Sequence, residues 1–340
     1  MTKELPNIAV LGATGVVGRE ILNILEESNI QYNSIKFLAS ARSKGSNIEF
    51  KGQNHTVVEA VDEEFDDVNI CLASAGGETS KRFASVAAKK GCVFIDNSSA
   101  FRMDKDIPLV IAGVNDEDLK NHKGIIANPN CSTSQLMLPL KALNDKYKIK
   151  RLIVSTYQAV SGAGLKAINE LTDNIKINLV GMPYEPSAFK YEIAFNVIPQ
   201  IDTFCENGYT KEEMKVTNET RKILHLSDDV KISCTAVRVP VYIGHSEAVS
   251  VEFVNKVNAQ EARELLKNTW GVEVRDDIAT YTYPTPKDAA GKDPVLVGRI
   301  RDSIAFDNGL EFFCVADNLR IGAALNTVRL AQKVIEMGLY

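Results

Sequence analysis

The sequence has 340 residues, of which 45% are hydrophobic and 24% charged, and its net charge at pH 7 is -5. A chain of this length exceeds what one hydrophobic core usually supports, so we expect two domains. The charge balance and the lack of a basic cluster exclude a nucleic-acid-binding surface, and no apolar run approaches the roughly 20 residues of a membrane span. The polar start, Met1–Pro6, indicates that no secretory signal peptide is present.

The first predicted elements are a short buried strand, Asn7–Leu11, a glycine-rich turn, Gly12–Gly18, and a helix with apolar residues at helical spacing. The glycines of the turn are spaced GxxGxxG. A strand, a glycine turn and a helix in this order are typical of dinucleotide binding, because small residues let the backbone approach a pyrophosphate at the helix N-terminus. The alternative is a tight turn that binds no ligand.

The second predicted strand, Ile35–Ala39, ends in a loop that bears on the choice of cofactor. A site specific for NAD usually has an acidic residue here, which binds the ribose 2′-hydroxyl. This loop instead contains Ser40, Arg42, Ser43 and Lys44, which suit a 2′-phosphate. We therefore expect NADP, and the alternative is a solvated basic turn.

Further strands and helices alternate up to about residue 130. Strands are predicted over 68–73 and 92–96, a helix over 78–90, and two more short apolar runs cover 109–112 and 124–127. This alternation predicts a parallel sheet that is covered on both faces, with its ligand-binding loops gathered at the carboxyl ends of the strands. The loops expected to converge are Gly12–Gly18, Ser74–Gly77, Asn97–Arg102 and Asn128–Cys131. An arginine in these loops could hold an anion or lie at the surface.

The stretch Asn128–Thr133 places Cys131 at the start of an apolar-rich helix. A helix N-terminus favours a thiolate, but it supplies only about 0.3–1 kcal/mol, whereas a working nucleophile needs a pKa shift of one or two units at about 1.4 kcal/mol each. A second group is therefore required if Cys131 is reactive. The same pattern also fits a buried cysteine beside a helix cap.

Four other cysteines lie in strand-like runs and are predicted to be buried thiols: Cys71, Cys92, Cys234 and Cys314. The scattered cysteines, without CxxC or metal spacing, predict a reduced, cytoplasmic protein with no metal site.

From about residue 149 the pattern changes to longer strand-like runs, which predicts a second domain. Strands are expected over 151–158, 230–241, 247–257, 294–300 and 310–316, and helices from a second glycine-rich loop to about 180, over 210–224, over 258–270 and over 321–339. Residues 181–209, rich in Pro and aromatic residues, look irregular. The last helix could return the chain to the first domain.

Three side chains of this second half are candidates whose spacing alone leaves the role open. His245 lies in a small-residue turn between two predicted strands and is the best placed of the four histidines to act as a base for Cys131, although composition alone favours a structural histidine. Glu212 and Lys215 share one helix face, a spacing usually found in solvated ion pairs.

A nicotinamide site combined with a cysteine nucleophile suggests aldehyde oxidation or its reverse through a thioester.

These residues resemble the aspartate-β-semialdehyde dehydrogenase family essentially from end to end. The matching stretches are Gly12–Gly18, Ser40–Gly45, Ser98–Arg102, Asn128–Thr133, Tyr157–Gly164, Glu212–Lys215, Arg238 to His245, and Asp317–Asn326. One departure is Ile321, where many relatives have Lys. The resemblance implies a Rossmann-like doubly wound α/β domain (1–130 with 319–340) and a second α+β domain for catalysis and dimerisation (131–318), a glyceraldehyde-3-phosphate-dehydrogenase-like fold.

The resemblance also implies a role for each matching side chain. Cys131 is expected to be the acyl-forming nucleophile, His245 the general acid/base, and Gln158 the group that orients the substrate and acyl intermediate. Substrate or phosphate contacts are implied for Arg102, Asn130, Glu212, Lys215 and Arg238, of which Arg238 pairs with the substrate carboxylate. Cofactor contacts are implied for Gly12, Thr14, Gly15, Val16, Val17, Ser40, Arg42, Ser43, Ser161, Gly162 and Asn318.

The function implied by the resemblance is reductive dephosphorylation of L-aspartyl-4-phosphate by NADPH, which yields L-aspartate 4-semialdehyde, NADP and inorganic phosphate. This reaction serves the biosynthesis of lysine (through diaminopimelate), threonine, methionine and isoleucine. The family forms homodimers or homotetramers, and no nucleic-acid or membrane partner is expected. Two alternatives are an N-acetyl-γ-glutamyl-phosphate reductase, which uses the same thioester chemistry, and a non-enzymatic NADP-sensing module.

Overall fold

The computed structural model describes residues 4–340, so the first three residues of the polar start lie outside it. The strands are β1 (Asn7–Leu11), β2 (Ser34–Ala39), β3 (Asn47–Phe50), β4 (Gln53–Thr56), β5 (Val58–Glu59), β6 (Ile70–Ala73), β7 (Val93–Asp96), β8 (Ile125–Ala127), β9 (Ile149–Gln158), β10 (Lys231–Arg238), β11 (His245–Phe253), β12 (Val272–Val274), β13 (Val295–Asp302) and β14 (Gly309–Ala316). The α-helices are α1 (Val16–Glu27), α2 (Gly77–Lys89), α3 (Cys131–Tyr147), α4 (Leu165–Leu179), α5 (Lys211–Ile223), α6 (Ala259–Lys267), α7 (Pro286–Ala289) and α8 (Leu325–Met337). Among these residues, no helix combines the length and the apolar character that crossing a membrane requires.

The chain divides into two compact units. The first consists of the described part of Met1–Asn130 together with Ala323–Tyr340, and the second of Cys131–Gly322. The return to the first unit thus comes four residues later than the boundary expected from the sequence, since the last helix begins with a wide π-turn over Arg320–Ala324 and becomes α-helical only at Leu325. The assignment of catalysis and dimerisation to the second unit stays a prediction.

The first unit is built on six parallel strands in the order β5-β2-β1-β6-β7-β8. Helix α2 packs against one face through Phe83, Ala84 and Ala87, which share a buried cluster with Ala9 and Leu11 of β1. Helices α1 and α8 contact each other, and α8 also contacts β6 and β7. The predicted doubly wound parallel sheet is confirmed, because hydrophobic runs such as β6 and residues 8–11 of β1 are fully buried and need a helical layer on each side.

Two features of the first unit differ from the expectation. The apolar run 109–112 forms no strand and contributes only an isolated bridge between Leu109 and Ala127. A hairpin of β3 and β4, which was not anticipated, follows β2. Its two-residue turn, Lys51 and Gly52, has positive φ at both positions, and Phe50 at its base packs edge-on against Phe37.

The second unit contains a six-stranded mixed sheet in the order β10-β9-β11-β14-β13-β12. Strand β9 lies between β10 and β11, parallel to the former and antiparallel to the latter, so the two runs at 230–241 and 247–257 are not neighbours. His245 is the first residue of β11 rather than part of the preceding turn. Helix α3 covers one face of the sheet together with α5 and α6, and the short helix α7 packs against β14.

Local sequence signals explain where the helices of this unit begin. Thr210 and Glu213 form a capping box at the start of α5, and the Asn258 side chain accepts the backbone N–H of Glu261 at the start of α6. Residues 181–209 contain no helix or strand, as their composition predicted. These capped helices are short, so the six-stranded sheet provides most of the framework on which the site is built.

Candidate active site

The glycine turn of the first unit requires glycine at two positions. Gly12 has φ +84°, and a Cβ there would lie 2.8 Å from the backbone oxygen of Ser74. A Cβ on Gly18 would lie 2.1 Å from the backbone oxygen of Gly12, so α1 could not pack against the turn. The N-cap position of α1 is occupied by Gly15, which has no side chain to accept hydrogen bonds from the first amides of the helix. The N-terminal amides of this helix are therefore available to an anion.

The loop after β2 lies beside this turn. The hydroxyls of Thr14 and Ser43 are 3.4 Å apart, so the glycine turn and the loop after β2 are in contact. Arg42 is exposed in a 3-10 turn, whereas Lys44 forms an ion pair with Glu59 at 3.3 Å. Arg42 is therefore the cation of this loop without such an ion pair in the described chain. Ser40 is also exposed, and Val16 and Val17 are half-buried at the start of α1. The residues of both loops fit an adenosine dinucleotide.

The loops after β7 and β8 are held together by hydrogen bonds. Arg102 is 8% exposed and donates from Nε to the backbone oxygen of Asn128 (2.9 Å) and from Nη2 to that of Asn97 (2.9 Å). The Asn128 side chain donates to Asn97 Oδ1 at 2.8 Å and also accepts from Asn326 Nδ2 of α8. This buried amide network fixes the segment that leads to Asn130, itself 7% exposed.

The second unit brings three of the predicted residues into one row. Because β9 and β10 are parallel, Arg238 lies opposite Gln158. Strand β11 places Ser246 opposite Tyr157, so the preceding residue, His245, lies on the other side of Gln158. All three row residues are at most 5% exposed. We call Arg238, Gln158 and His245 the candidate row.

His245 is held in a defined tautomer. The backbone N–H of Ala159 donates to Nδ1 at 3.0 Å, so the neutral ring carries its proton on Nε2. In residues 4–340, Nε2 has no hydrogen-bond partner, although the side chain is fully buried. Burial, together with the positive charge of Arg238, holds the pKa of His245 well below 6.5. His245 therefore presents a buried N–H that is ready to donate.

Arg238 is a buried cation. Its side chain is 5% exposed, Nη1 donates to the backbone oxygen of Ala159 at 2.8 Å, and the guanidinium lies 5.9 Å from the centre of the Phe189 ring. Within the described chain it makes no salt bridge. Burial lowers its pKa, and the nearby Cys131 and Glu212 oppose that effect. An unpaired buried guanidinium of this kind is suited to a carboxylate ligand.

Cys131 is the first residue of α3 and is partly exposed, unlike the four thiols predicted to be structural. Those four are buried, and burial raises the pKa of each, that of Cys92 to about 12, which confirms the prediction. The backbone of Gly322 lies directly against Cys131, since a Cβ on Gly322 would stand 2.5 Å from that of Cys131. The position of Cys131 is thus fixed by a close backbone contact.

A second chain of polar contacts starts from the candidate row. Gln158 Nε2 donates to Glu212 Oε1 (3.3 Å) and to Thr156 Oγ1 (3.3 Å). Lys215 lies 3.1 Å from Glu212 Oε2 and 2.8 Å from Asp202 Oδ2. Burial would lower the pKa of Lys215, but the two carboxylates outweigh it and raise the pKa. The helix pair Glu212–Lys215 is therefore attached to the site rather than solvated.

The glycine-rich loop after β9 completes the site. A Cβ on Gly162 would be 3.1 Å from both Arg238 Nη1 and His245 Nε2, so only glycine leaves these groups accessible. The hydroxyl of Ser161 and the side chain of Asn318 are hydrogen-bonded at 3.0–3.1 Å, and Asn318 also accepts the backbone N–H of Gly244 at 2.9 Å.

A second row lies one residue pair further along the same face of the sheet. Glu247 is opposite Thr156 on β9 and Cys314 on β14. It is fully buried, and the Cys314 thiol donates to its Oε2 at 3.3 Å. Burial raises the pKa of Glu247 to about 8, an effect that the thiol only partly offsets. This carboxyl group is thus protonated at neutral pH.

Comparison with known proteins identifies the family. A model described as "Semialdehyde dehydrogenase, NAD binding domain" matches residues 7–122, and one described as "Semialdehyde dehydrogenase, dimerisation domain" matches residues 140–321. The aspartate-semialdehyde dehydrogenase of Aquifex aeolicus (strain VF5) is 51% identical over 338 residues, which cover 98% of each chain. The chain belongs to the aspartate-semialdehyde dehydrogenase family. This finding confirms the resemblance and the fold class, and it makes the protein an oxidoreductase of amino-acid biosynthesis.

Solved structures of the family agree with this fold. The crystal structure of aspartate semialdehyde dehydrogenase II from Vibrio cholerae matches with a TM-score of 0.94 and 44% identity, covering 98% of this chain and 99% of that one. A second structure of the Vibrio enzyme, complexed with ASA, matches with the same values. The family fold therefore extends over both units of this chain.

Three residues of the site were not anticipated from the sequence. Gly322 presses against Cys131, Asp202 neutralises Lys215, and Ala159 contributes backbone groups to both His245 and Arg238. Asp202 has a φ of +68°, which nothing in its irregular surroundings predicts. Gly322 and Ala159 lie inside stretches that match the family, but their roles depend on backbone contacts that a pattern does not show. Among the described residues, no group of His, Cys, Asp and Glu side chains could hold a metal ion.

Proposed function

We propose that the protein reduces L-aspartyl-4-phosphate to L-aspartate 4-semialdehyde with release of inorganic phosphate, and that it uses NADPH. The observation that carries this proposal is the unpaired, buried Arg238 beside His245 and within electrostatic reach of Cys131. A carboxylate-bearing substrate supplies the missing counter-ion and places its other end in the site. The ASA complex of the Vibrio relative supports the same substrate class.

The proposed chemistry begins with the thiolate of Cys131. Two features favour this thiolate, namely the N-terminus of α3 and the nearby charge of Arg238. The thiolate attacks the acyl carbon of the substrate, the C–O bond to phosphate breaks, and a thioester to Cys131 forms. When bound, NADPH supplies a hydride for reduction of the thioester carbon.

His245 is proposed to act from Nε2. Because Nδ1 accepts the N–H of Ala159, Nε2 carries the ring proton and cannot take the proton of Cys131 in this tautomer. Instead, Nε2–H donates to the oxygen that becomes negative when the acyl carbon turns tetrahedral. Of the expected acid/base role, His245 is thus assigned only hydrogen-bond donation. Activation of the Cys131 thiol is assigned to the N-terminus of α3 and to Arg238.

The other polar groups of the site are proposed to bind the two ends of the substrate. Gln158 is held by Thr156 and Glu212, so its amide is fixed next to the acyl group. Glu212 is assigned to the substrate amine, and Lys215 with Arg102 to the phosphate. Asn130, which precedes the nucleophile, is assigned a substrate contact. Family membership supports each of these assignments.

We also propose NADP as the preferred cofactor. The support is the exposed Arg42 next to the Thr14–Ser43 contact, in a loop that has no acidic residue for a ribose 2′-hydroxyl. The cofactor contacts in the glycine turn are assigned to Gly12 and to Thr14–Val17, with Ser40 beside them. Ser161, Gly162 and Asn318 are assigned to its nicotinamide half, since Gly162 lies beside His245 and Ser161 is hydrogen-bonded to Asn318.

Self-association through the second unit is proposed as well. One face of the six-stranded sheet carries partly exposed apolar side chains, including Ile153 (42% exposed) and Tyr157 (39%), with Phe313 6.3 Å from the Tyr157 ring. The helices α3, α5 and α6 cover the opposite face. A second copy of the chain is the proposed occupant, because the matching family model is described as a dimerisation domain.

The experiment that tests the activity is phosphate-dependent NADP reduction with two aldehydes, aspartate semialdehyde and N-acetylglutamate semialdehyde. We expect turnover of the first, and turnover of the second alone would refute the proposal. Mass spectrometry of protein mixed with aspartate semialdehyde and NADP, without phosphate, should show an acyl adduct on the Cys131 peptide. Cys131→Ala should abolish turnover and the adduct while the nucleotide still binds, whereas unchanged turnover would exclude the covalent mechanism.

A further inference from the structure

The irregular segment between α4 and α5 is anchored by one carboxylate of α4. Glu170 is 3% exposed, and its Oε2 accepts the backbone N–H and the hydroxyl of Ser187, both at 2.8 Å. The same carboxylate accepts the backbone N–H groups of Ala188 and Phe189. Four donors from three consecutive residues therefore converge on a single buried carboxylate, which fixes the backbone of Ser187–Phe189.

This anchored segment reaches Arg238 at two points. The ring of Phe189 faces the guanidinium with 5.9 Å between the guanidinium carbon and the ring centre. The backbone of Ile198 exchanges two hydrogen bonds with that of Arg238, at 2.9 Å and 2.8 Å. The segment is also seated by packing, since Ala188 and Phe189 contact the buried cluster that contains Ile198. The segment therefore contacts both the backbone and the charged end of Arg238.

The orientation of this guanidinium depends on few contacts. Its side chain makes one hydrogen bond, to the backbone oxygen of Ala159, and no ion pair among residues 4–340. The face of an aromatic ring attracts a guanidinium and restricts the plane in which its remaining N–H groups point. If the Phe189 ring were displaced, Arg238 would keep its charge but lose a fixed direction towards a bound carboxylate.

We propose that Glu170 is a positioning residue for the substrate carboxylate, because it holds Phe189 against Arg238. This inference rests on the proposed function, in which Arg238 binds that carboxylate. Glu170 itself contacts no substrate, since all four of its hydrogen bonds go to residues 187–189. Its effect is therefore expected on the affinity for the carboxylate end of the substrate, while Arg238 keeps the charge that favours the Cys131 thiolate.

The test is steady-state kinetics of the whole protein with aspartate semialdehyde, phosphate and NADP. In Glu170→Gln an NH2 group, which cannot accept a hydrogen bond, replaces one carboxylate oxygen. Depending on the amide orientation, either the backbone N–H of Phe189 or the three donors at Oε2 lose their acceptor, so the segment shifts. We expect KM for aspartate semialdehyde to rise about tenfold, in the range that loss of a buried cation–π contact allows, while kcat and the KM values for phosphate and NADP stay within about twofold. Glu185→Gln is the matched control, because Glu185 is an exposed carboxylate of the same segment, and it should leave all four constants unchanged.

Variants of the ring separate this role from general stability. Phe189→Leu should raise the same KM with the anchor intact, so it tests the idea even if Glu170→Gln does not fold, and Phe189→Tyr should keep the KM of the unmodified protein. If Glu170 acts through the ring, the double variant Glu170→Gln with Phe189→Leu should be no worse than the stronger single one.

The outcomes that overturn the inference are distinct from failure of the proposed function. An unchanged KM in both single variants, a fall in kcat alone, or additive effects in the double variant would overturn the positioning role. No turnover of aspartate semialdehyde by the unmodified protein would instead overturn the proposed function, and with it the assignment of Glu170.

Discussion

The buried carboxyl group of Glu247 makes the stability of the second unit depend on pH in an unusual direction. Burial raises its pKa from 4.5 to about 8 in the folded protein. Between these two values the folded state binds a proton that the unfolded chain has lost, so stability falls as pH rises from about 4.5 to about 8. At about 1.4 kcal/mol for each pKa unit, the loss is on the order of 5 kcal/mol once the pH exceeds 8.

Glu247→Gln keeps the shape of the side chain but removes its ionisation. We expect the variant and the unmodified protein to unfold at similar temperatures at pH 5. At pH 9 the variant should unfold at a higher temperature, by roughly 10–20 °C, since each kcal/mol shifts Tm by about 2–4 °C in a domain of this size. Thermal unfolding followed by circular dichroism between pH 5 and pH 9 measures the difference.

Glu252→Gln is the matched control for this measurement. Glu252 lies on the same strand, but its carboxylate pairs with Lys150 at 2.7 Å, so its removal cannot stabilise the protein at high pH. Parallel pH profiles for Glu247→Gln and the unmodified protein would refute the reasoning, because they would show that Glu247 ionises without penalty in the folded state.

Three other substitutions test the site and the assembly. Gly322→Ala should lower turnover at least tenfold with NADP binding unchanged, since its Cβ would stand 2.5 Å from that of Cys131. Full activity would show that the backbone at residue 322 can shift without disturbing Cys131. Arg42→Ser should raise KM for NADP about tenfold without affecting NAD, as expected for loss of a charge-assisted hydrogen bond, whereas Lys44→Ser, whose lysine is paired with Glu59, should have little effect. Ile153→Lys should reduce the assembled fraction in light scattering, unlike Leu179→Lys, which alters an exposed leucine at the end of α4; equal masses for both variants would place the interface elsewhere.

Elements defined by local signals were predictable from the sequence. The strand β1 and the start of α3 have the predicted bounds because a buried run and a turn with Asn and Pro mark them. The hairpin β3–β4 was missed, although its turn residues Lys51 and Gly52 adopt the positive φ values of a two-residue hairpin turn. Its short strands alternate weakly, and Lys-Gly is a less common turn signal than Asn-Gly.

The arrangement of the site could not be derived from local signals. Arg238, Gln158 and His245 come together because β9 inserts between β10 and β11, a pairing over about 80 residues of chain that no periodicity encodes. The tautomer of His245 depends on one backbone N–H, that of Ala159. The surroundings of Glu212 and Lys215 were equally hidden from the sequence. Their spacing matches a solvated ion pair, and only the packing of α5 against the sheet attaches the pair to the site.

The close approach of Gly322 to Cys131 also has a consequence for the construction of the chain. These two residues are the first and the last of the second unit, and they touch. A module whose entry and exit points coincide can be inserted into a loop of a host domain without separating the flanking segments of that host. The arrangement is thus that of an inserted domain, and the proposed nucleophile, Cys131, is the first residue of the insertion.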